Sequence, residues 1–127
     1  MAEIPFLGNI NLSVLEKEFG KLQTSEIIIT SERITHIKER HPIDYELFET
    51  YGEQCVQDPD YIIRDRKNRN TVFMIKKLPD TNLNVVSKLA LDADKNGLKN
   101  SVMTFYRIRE RNLQKLKNKN AILYRKE

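Results

Sequence analysis

Tryptophan is absent from the chain, cysteine occurs once, and glycine and proline occur four times each. So little glycine and proline excludes collagen-like and low-complexity architectures. A single thiol, Cys55, cannot form an intrachain disulfide, and with two histidines it is too little for a zinc site. Cys55 lies between Gln54 and Val56 with no activating base beside it, so it reads as an inert core thiol. No apolar run approaches the roughly 18 residues of a membrane span. Met1-Ala2-Glu3-Ile4 lacks the basic start and apolar core of a secretory signal, which makes the cytoplasm the expected location. The Walker loop, GxGxxG, GxSxG and HExxH are missing. Asp92 and Asp94 are close together but do not have EF-hand spacing. No carboxylate cluster stands ready for magnesium, so no metal and no other cofactor is expected.

What is present is a chain of 127 residues, the length of one domain, with 39% hydrophobic and 31% charged residues. That composition is polar, yet rich enough in Ile, Leu, Val, Phe and Tyr to fold. Lysine and arginine total 22 against 18 acidic residues, a net charge of +4. A basic domain attracts polyanions, although ordinary solubility charge reads the same way.

The first half of the chain repeats with the period of a helix. Leu12, Val14, Leu15 and Phe19 suggest a helix capped by Asn11 or Ser13 and ended by Gly20. Glu26 to Thr30 is β-branched and extended. Thr30 or Ser31 then caps a helix from Glu32 to about Arg40, which Pro42 stops. A further helix covers about Asp44 to Val56, with Tyr45, Phe48, Tyr51 and Cys55 on one stripe. Beyond Asp58-Pro59-Asp60 the period becomes two. Strands are expected at Tyr61–Arg64, Thr71–Lys77, Leu83–Leu91 and Ser101–Ile108, joined by polar turns. A short helix from Glu110 to about Lys117 closes the chain, followed by Ala121–Tyr124 as a strand or docked tail. The expected fold is α+β: N-terminal helices packed on a four-stranded antiparallel meander, with a short C-terminal helix. Residues 1–127 form one domain in this reading, and residues 1–25 are an undecided extension.

The densest set of functional groups is the run from Arg33 to Pro42. Arg33, His36 and Arg40 are three, four and seven residues apart and share a helix face. Ile34, Ile37 and His41 form a neighbouring, more apolar face, which favours a structural His41. An imidazole can exchange protons near neutral pH, and guanidinium groups can clamp a phosphate. A solvated basic face would look the same. On the strands, Lys76 ends an apolar run and Lys88 sits mid-strand. Strict alternation puts Thr104 and Tyr106 on one face and Ser101 and Arg107 on the other. These too are compatible with an exposed sheet face with protective lysines. Phe105 and Tyr106 lie in a strand, as base-stacking aromatics do, but no RNP-like motif surrounds them.

Taken in order, Ile34-Thr35-His36-Ile37, Arg40-His41-Pro42, Asp58-Pro59-Asp60-Tyr61-Ile62-Ile63, Lys76, Val85-Val86 with Lys88, and Ser101 to Tyr106 resemble the phage-associated barnase–EndoU–colicin–RelE-like nuclease domains. The resemblance runs from about residue 26 to 125. It implies the helix-on-sheet fold and a metal-independent endoribonuclease in which a 2′-hydroxyl attacks the adjacent phosphate. It also implies a phage or mobile-element setting, with toxin activity as one role. Carried over by position, His36, His41, Lys88, Ser101 and Thr104 are the catalytic candidates. Arg33, Arg40, Lys76 and Tyr106 are the substrate-binding ones. Which histidine acts as base is left open. The implied partners are RNA, with tRNA one candidate, and a cognate immunity or antitoxin protein. The alternative is a nucleic-acid-binding accessory protein that keeps the fold without the catalysis.

Overall fold

The computed structural model describes residues 6–127; the reading of Met1–Ile4 lies outside them. In chain order come β1 (Phe6–Asn9), α1 (Leu12–Phe19), β2 (Glu26–Ile28), α2 (Ser31–Arg40), α3 (Pro42–Gln57) and β3 (Tyr61–Arg64). They are followed by β4 (Thr71–Lys77), β5 (Asn82–Lys88), β6 (Asn100–Ile108), α4 (Glu110–Lys119) and β7 (Ala121–Arg125).

The helix ends follow local chemistry. Asn11 caps α1 by accepting the Val14 N–H at 3.2 Å, and Gly20 ends it in the left-handed region at φ 86°. Thr30 rather than Ser31 caps α2, accepting the Arg33 N–H at 3.2 Å. Pro42 stops α2 as expected, but it also opens α3 two residues before the expected Asp44. The first helical position needs no N–H partner, so proline fits there. His41 is the joint between the two helices: its N–H donates to the Ile37 carbonyl at 2.6 Å and its carbonyl accepts the Tyr45 N–H at 3.0 Å.

The sheet corrects the expected four-stranded meander. It has seven strands in the order β1-β2-β6-β5-β4-β3-β7. The meander β3–β6 is its centre, and all of its pairings are antiparallel. On one side β2 joins β6 in parallel and β1 follows, antiparallel to β2. On the other side β7 pairs antiparallel with β3, so the C-terminal segment is a strand. Leu83–Leu91 is shorter than expected. β5 ends at Lys88, where the Ala90 N–H turns to the side chain of Asn100.

The two faces of the sheet are built differently. The first carries α3, whose Phe48 stacks on Phe105 with ring centroids 3.9 Å apart. Ile62, Met74, Leu83, Val85 and Val102 complete that core with Leu15, Ile27 and Ile37. Cys55 is fully buried there and donates its S–H to the Met74 carbonyl at 3.0 Å. Burial pushes its thiol far up from the ordinary range, so it is no nucleophile. The second face is covered only in part. Leu113 of α4 packs on Ile63, Phe73, Ile75 and Ile108. The part of that face nearer Lys88 and Ser101 has no helix over it in that packing. Among the described residues no helix is long and apolar enough to cross a membrane.

A candidate nucleic-acid site on the second face of the sheet

The site begins with a bulge. Val86 pairs with Thr104, but the next residue, Ser87, pairs with Val102. Met103 is therefore an extra residue in β6, and the alternation changes phase across it. Strict period two had put Ser101 and Thr104 on opposite faces. The bulge puts both on the second face, together with Tyr106. Lys88 lies directly opposite Ser101, and Thr71 opposite Lys88. The second face is thus a small grid: Thr71, Lys88 and Ser101 in one row, Phe73, Val86 and Thr104 in the next, then Ile75, Asn84 and Tyr106. Thr71, Phe73, Ile75 and Asn84 are buried, while Lys88 and Tyr106 are exposed.

Two clefts open on this grid. Lys88 and Ser101 line the first, about 400 Å³, with Arg69, Lys95, Lys99 and Asp94 around them. Lys99 is paired with Glu26 at 3.6 Å. Lys88 makes no ion pair among the described residues, and it is exposed. The second cleft, about 900 Å³, lies between α4 and the β3–β4 turn, with Phe73, Tyr106 and Ile108 on its apolar side. Arg66, Lys115 and Lys119 supply its basic side.

The other expected residues are elsewhere. Lys76 is on the helix-covered face, where its ammonium donates to the Asp58 carbonyl at 2.9 Å and pairs with the Asp58 carboxylate at 3.6 Å. It holds the end of α3 against β4 and is not part of the grid. Arg33, His36 and Arg40 are exposed on α2, which packs against α3 and beside β6. None of them lines the Lys88–Ser101 cleft. The cleft as lined does not bring α2 together with these strand residues. His41 is also exposed and makes no side-chain cap. Its structural part is played by its backbone, not by packing near Ile34 and Ile37.

A residue that the pattern did not flag stands in the grid. Asn84 is fully buried and donates its amide to the Tyr106 hydroxyl at 3.1 Å. Its carbonyl oxygen Oδ1 has no partner among the described residues. A buried polar atom left without a hydrogen bond is costly. The available signal was an asparagine in the middle of the apolar run Leu83-Asn84-Val85-Val86.

The model of the family described as phage-Barnase-EndoU-ColicinE5/D-RelE like nuclease 3 matches residues 6–115. The chain belongs to this nuclease family. The match takes in β1 and α1, so most of the undecided first 25 residues are part of the family's pattern, and it ends inside α4. No curated protein and no solved structure matches the chain.

Proposed function

We propose that this nuclease is an endoribonuclease that works without a metal ion, with the second face of the sheet as its reaction surface. The observation that carries the reading is the Met103 bulge, which lines up Lys88, Ser101, Thr104 and Tyr106 on the partly covered second face. The Lys88 ammonium neutralises charge on the phosphoryl oxygens, and the Ser101 and Thr104 hydroxyls donate to them. Proton transfer falls to His36, carried by the helix beside β6. The ribose 2′-hydroxyl loses its proton to a base and attacks phosphorus. The bond to the 5′-oxygen breaks, and that oxygen takes up a proton as it leaves. The products are a 2′,3′-cyclic phosphate and a free 5′-hydroxyl. A toxin role in a phage or mobile element, restrained by an immunity protein, belongs to the same proposal.

One observation favours a second reading. Neither histidine lines the Lys88–Ser101 cleft, which suits a domain that binds nucleic acid without cutting it. Incubation of the protein with total tRNA and rRNA in EDTA, with end mapping, decides between them. The proposal expects cyclic phosphate ends, resistance of DNA and of 2′-O-methyl RNA, and a loss of roughly 10²–10⁴-fold for His36→Ala. Magnesium-dependent cutting to 5′-phosphate ends would sink the chemistry. Tight binding with intact RNA would select the second reading.

A further inference from the structure

We infer that the cleft between α4 and the β3–β4 turn seats a base of single-stranded nucleic acid next to the phosphate site at Lys88 and Ser101. This rests on the reading of the second face as a nucleic-acid surface. The apolar side of the cleft is Phe73, Tyr106 and Ile108, and Tyr106 remains 36% exposed, so one aromatic ring is free to stack. Any base offers a π-face to such a ring, and stacking tolerates any sequence. The opposite side is cationic. Lys115 and Lys119 make no ion pair among the described residues, and the Arg66 guanidinium donates to the Lys119 carbonyl at 3.1 Å. Asp65, the carboxylate of the cleft, is already used: it accepts the Lys67 N–H at 2.9 Å and the Asn68 amide at 2.8 Å inside the turn. An apolar platform walled by free cations is complementary to a base with its flanking phosphates.

The spacing fits a continuous strand of nucleic acid. Asn84 and Lys88 are four residues apart on β5, about 13 Å at ordinary strand rise, and Tyr106 and Ser101 are their register partners. Thr104 lies between the two clefts on the same face. A duplex would keep its bases inside its stack, out of reach of Tyr106. Asn84 acts as a positioning residue: its amide holds the Tyr106 hydroxyl.

The chain has no tryptophan, so Tyr106→Trp installs a single indole reporter at the platform. The variant is titrated with a 2′-O-methyl oligoribonucleotide, which the proposed reaction cannot cut, as single strand and as duplex. Saturable quenching by the single strand alone is expected. Tyr106→Ala should weaken single-strand binding about 10-fold, while Tyr106→Phe keeps it. The double variant Lys115→Glu, Lys119→Glu should weaken binding and flatten its salt dependence. Thermal midpoints confirm that each variant is folded. Equal quenching by duplex, or unchanged affinity in both Tyr106→Ala and the double variant, overturns the inference. Tyr106-dependent binding without cleavage of unmodified RNA would keep the cleft and remove the nuclease chemistry. Cleavage with unchanged KM in both variants would do the reverse.

Discussion

The two faces of one sheet differ in how many of their polar groups they leave without partners. On the helix-covered face the cations are paired: Arg107 with Asp44 at 2.6 Å, Arg64 with Glu18 at 2.6 Å and Lys76 with Asp58. On the second face Lys77 pairs with Glu110 at 3.6 Å and Lys99 with Glu26, but Lys88, Lys115 and Lys119 have no acidic partner among the described residues. Of the buried asparagines, the two with no exposed surface repeat the contrast. Asn100 is fully satisfied: its Oδ1 accepts the Ala90 N–H at 2.8 Å and its amide donates to the Thr24 and Glu26 carbonyls at 2.8 and 2.9 Å. It ties β2, β6 and the segment after β5 together. Asn84 has one partner and one orphaned oxygen. Where polar groups are closed off within the molecule they hold the fold; the exposed lysines of the second face are open to an anion.

The sharpest way to break this contrast is to remove one lysine from each face. Lys88→Ala should lower cleavage by about 10²-fold or more, the usual loss when a charge-stabilising group is removed, with little change in stability. Lys76→Ala should leave cleavage unchanged and lower stability by roughly 1 kcal/mol, read as a shift in urea midpoint. Equal loss of activity in both variants would show that the faces are not divided as described.

The asparagines give the next largest effect. Asn100→Ala strands an N–H and two carbonyls in the interior and should cost about 1–3 kcal/mol. Asn84→Ala removes one hydrogen bond along with an oxygen that had none, so its cost should be about 1 kcal/mol or less. Denaturant titration checks both, and a cost at Asn84 equal to that at Asn100 would remove the distinction.

The smallest effect lies at the rim, where Lys126 of the C-terminal tail donates to Asp58 at 2.7 Å. The Lys126 ammonium, with Lys76 nearby, holds the Asp58 carboxyl below its ordinary value. A carboxyl depressed in the folded state contributes stability above its unfolded pKa, and the contribution is lost as pH falls through the folded value. The difference in thermal midpoint between the wild type and Asp58→Asn should therefore be present at neutral pH and vanish in acid below the ordinary aspartate range. A difference that persists there would mean that the contact is not electrostatic.

Much of the fold was legible from local pattern. The helices, a cap at Thr30 or Ser31 and the strands β3 to β6 follow from periodicity and turn residues close in the chain. The sheet's edges were not. β2 joins β6 through two register pairs more than seventy positions distant in sequence, and such pairing leaves no local period to read. The site divides in the same manner. Lys88, Ser101, Thr104 and Tyr106 could be named one by one, because lysine and hydroxyls are unusual in apolar strands. Their common face could not, since one extra residue at Met103 reverses the alternation. Lys76 has the same end-of-strand signature as a binding lysine, and only its position two residues from Met74, on the helix side, shows it to be a tie for Asp58.

The bulge at Met103 also bears on how this strand can vary in length. Deleting one residue there would restore simple alternation, but everything before it would rotate by half a turn. Ser101 would swing inward among the aliphatic side chains beneath α3, and Asn100 would swing out and release its three backbone partners. The hydroxyl row and the seam holding β2 would be lost together. β6 should therefore accept changes of residue type far more readily than a gain or loss of one position.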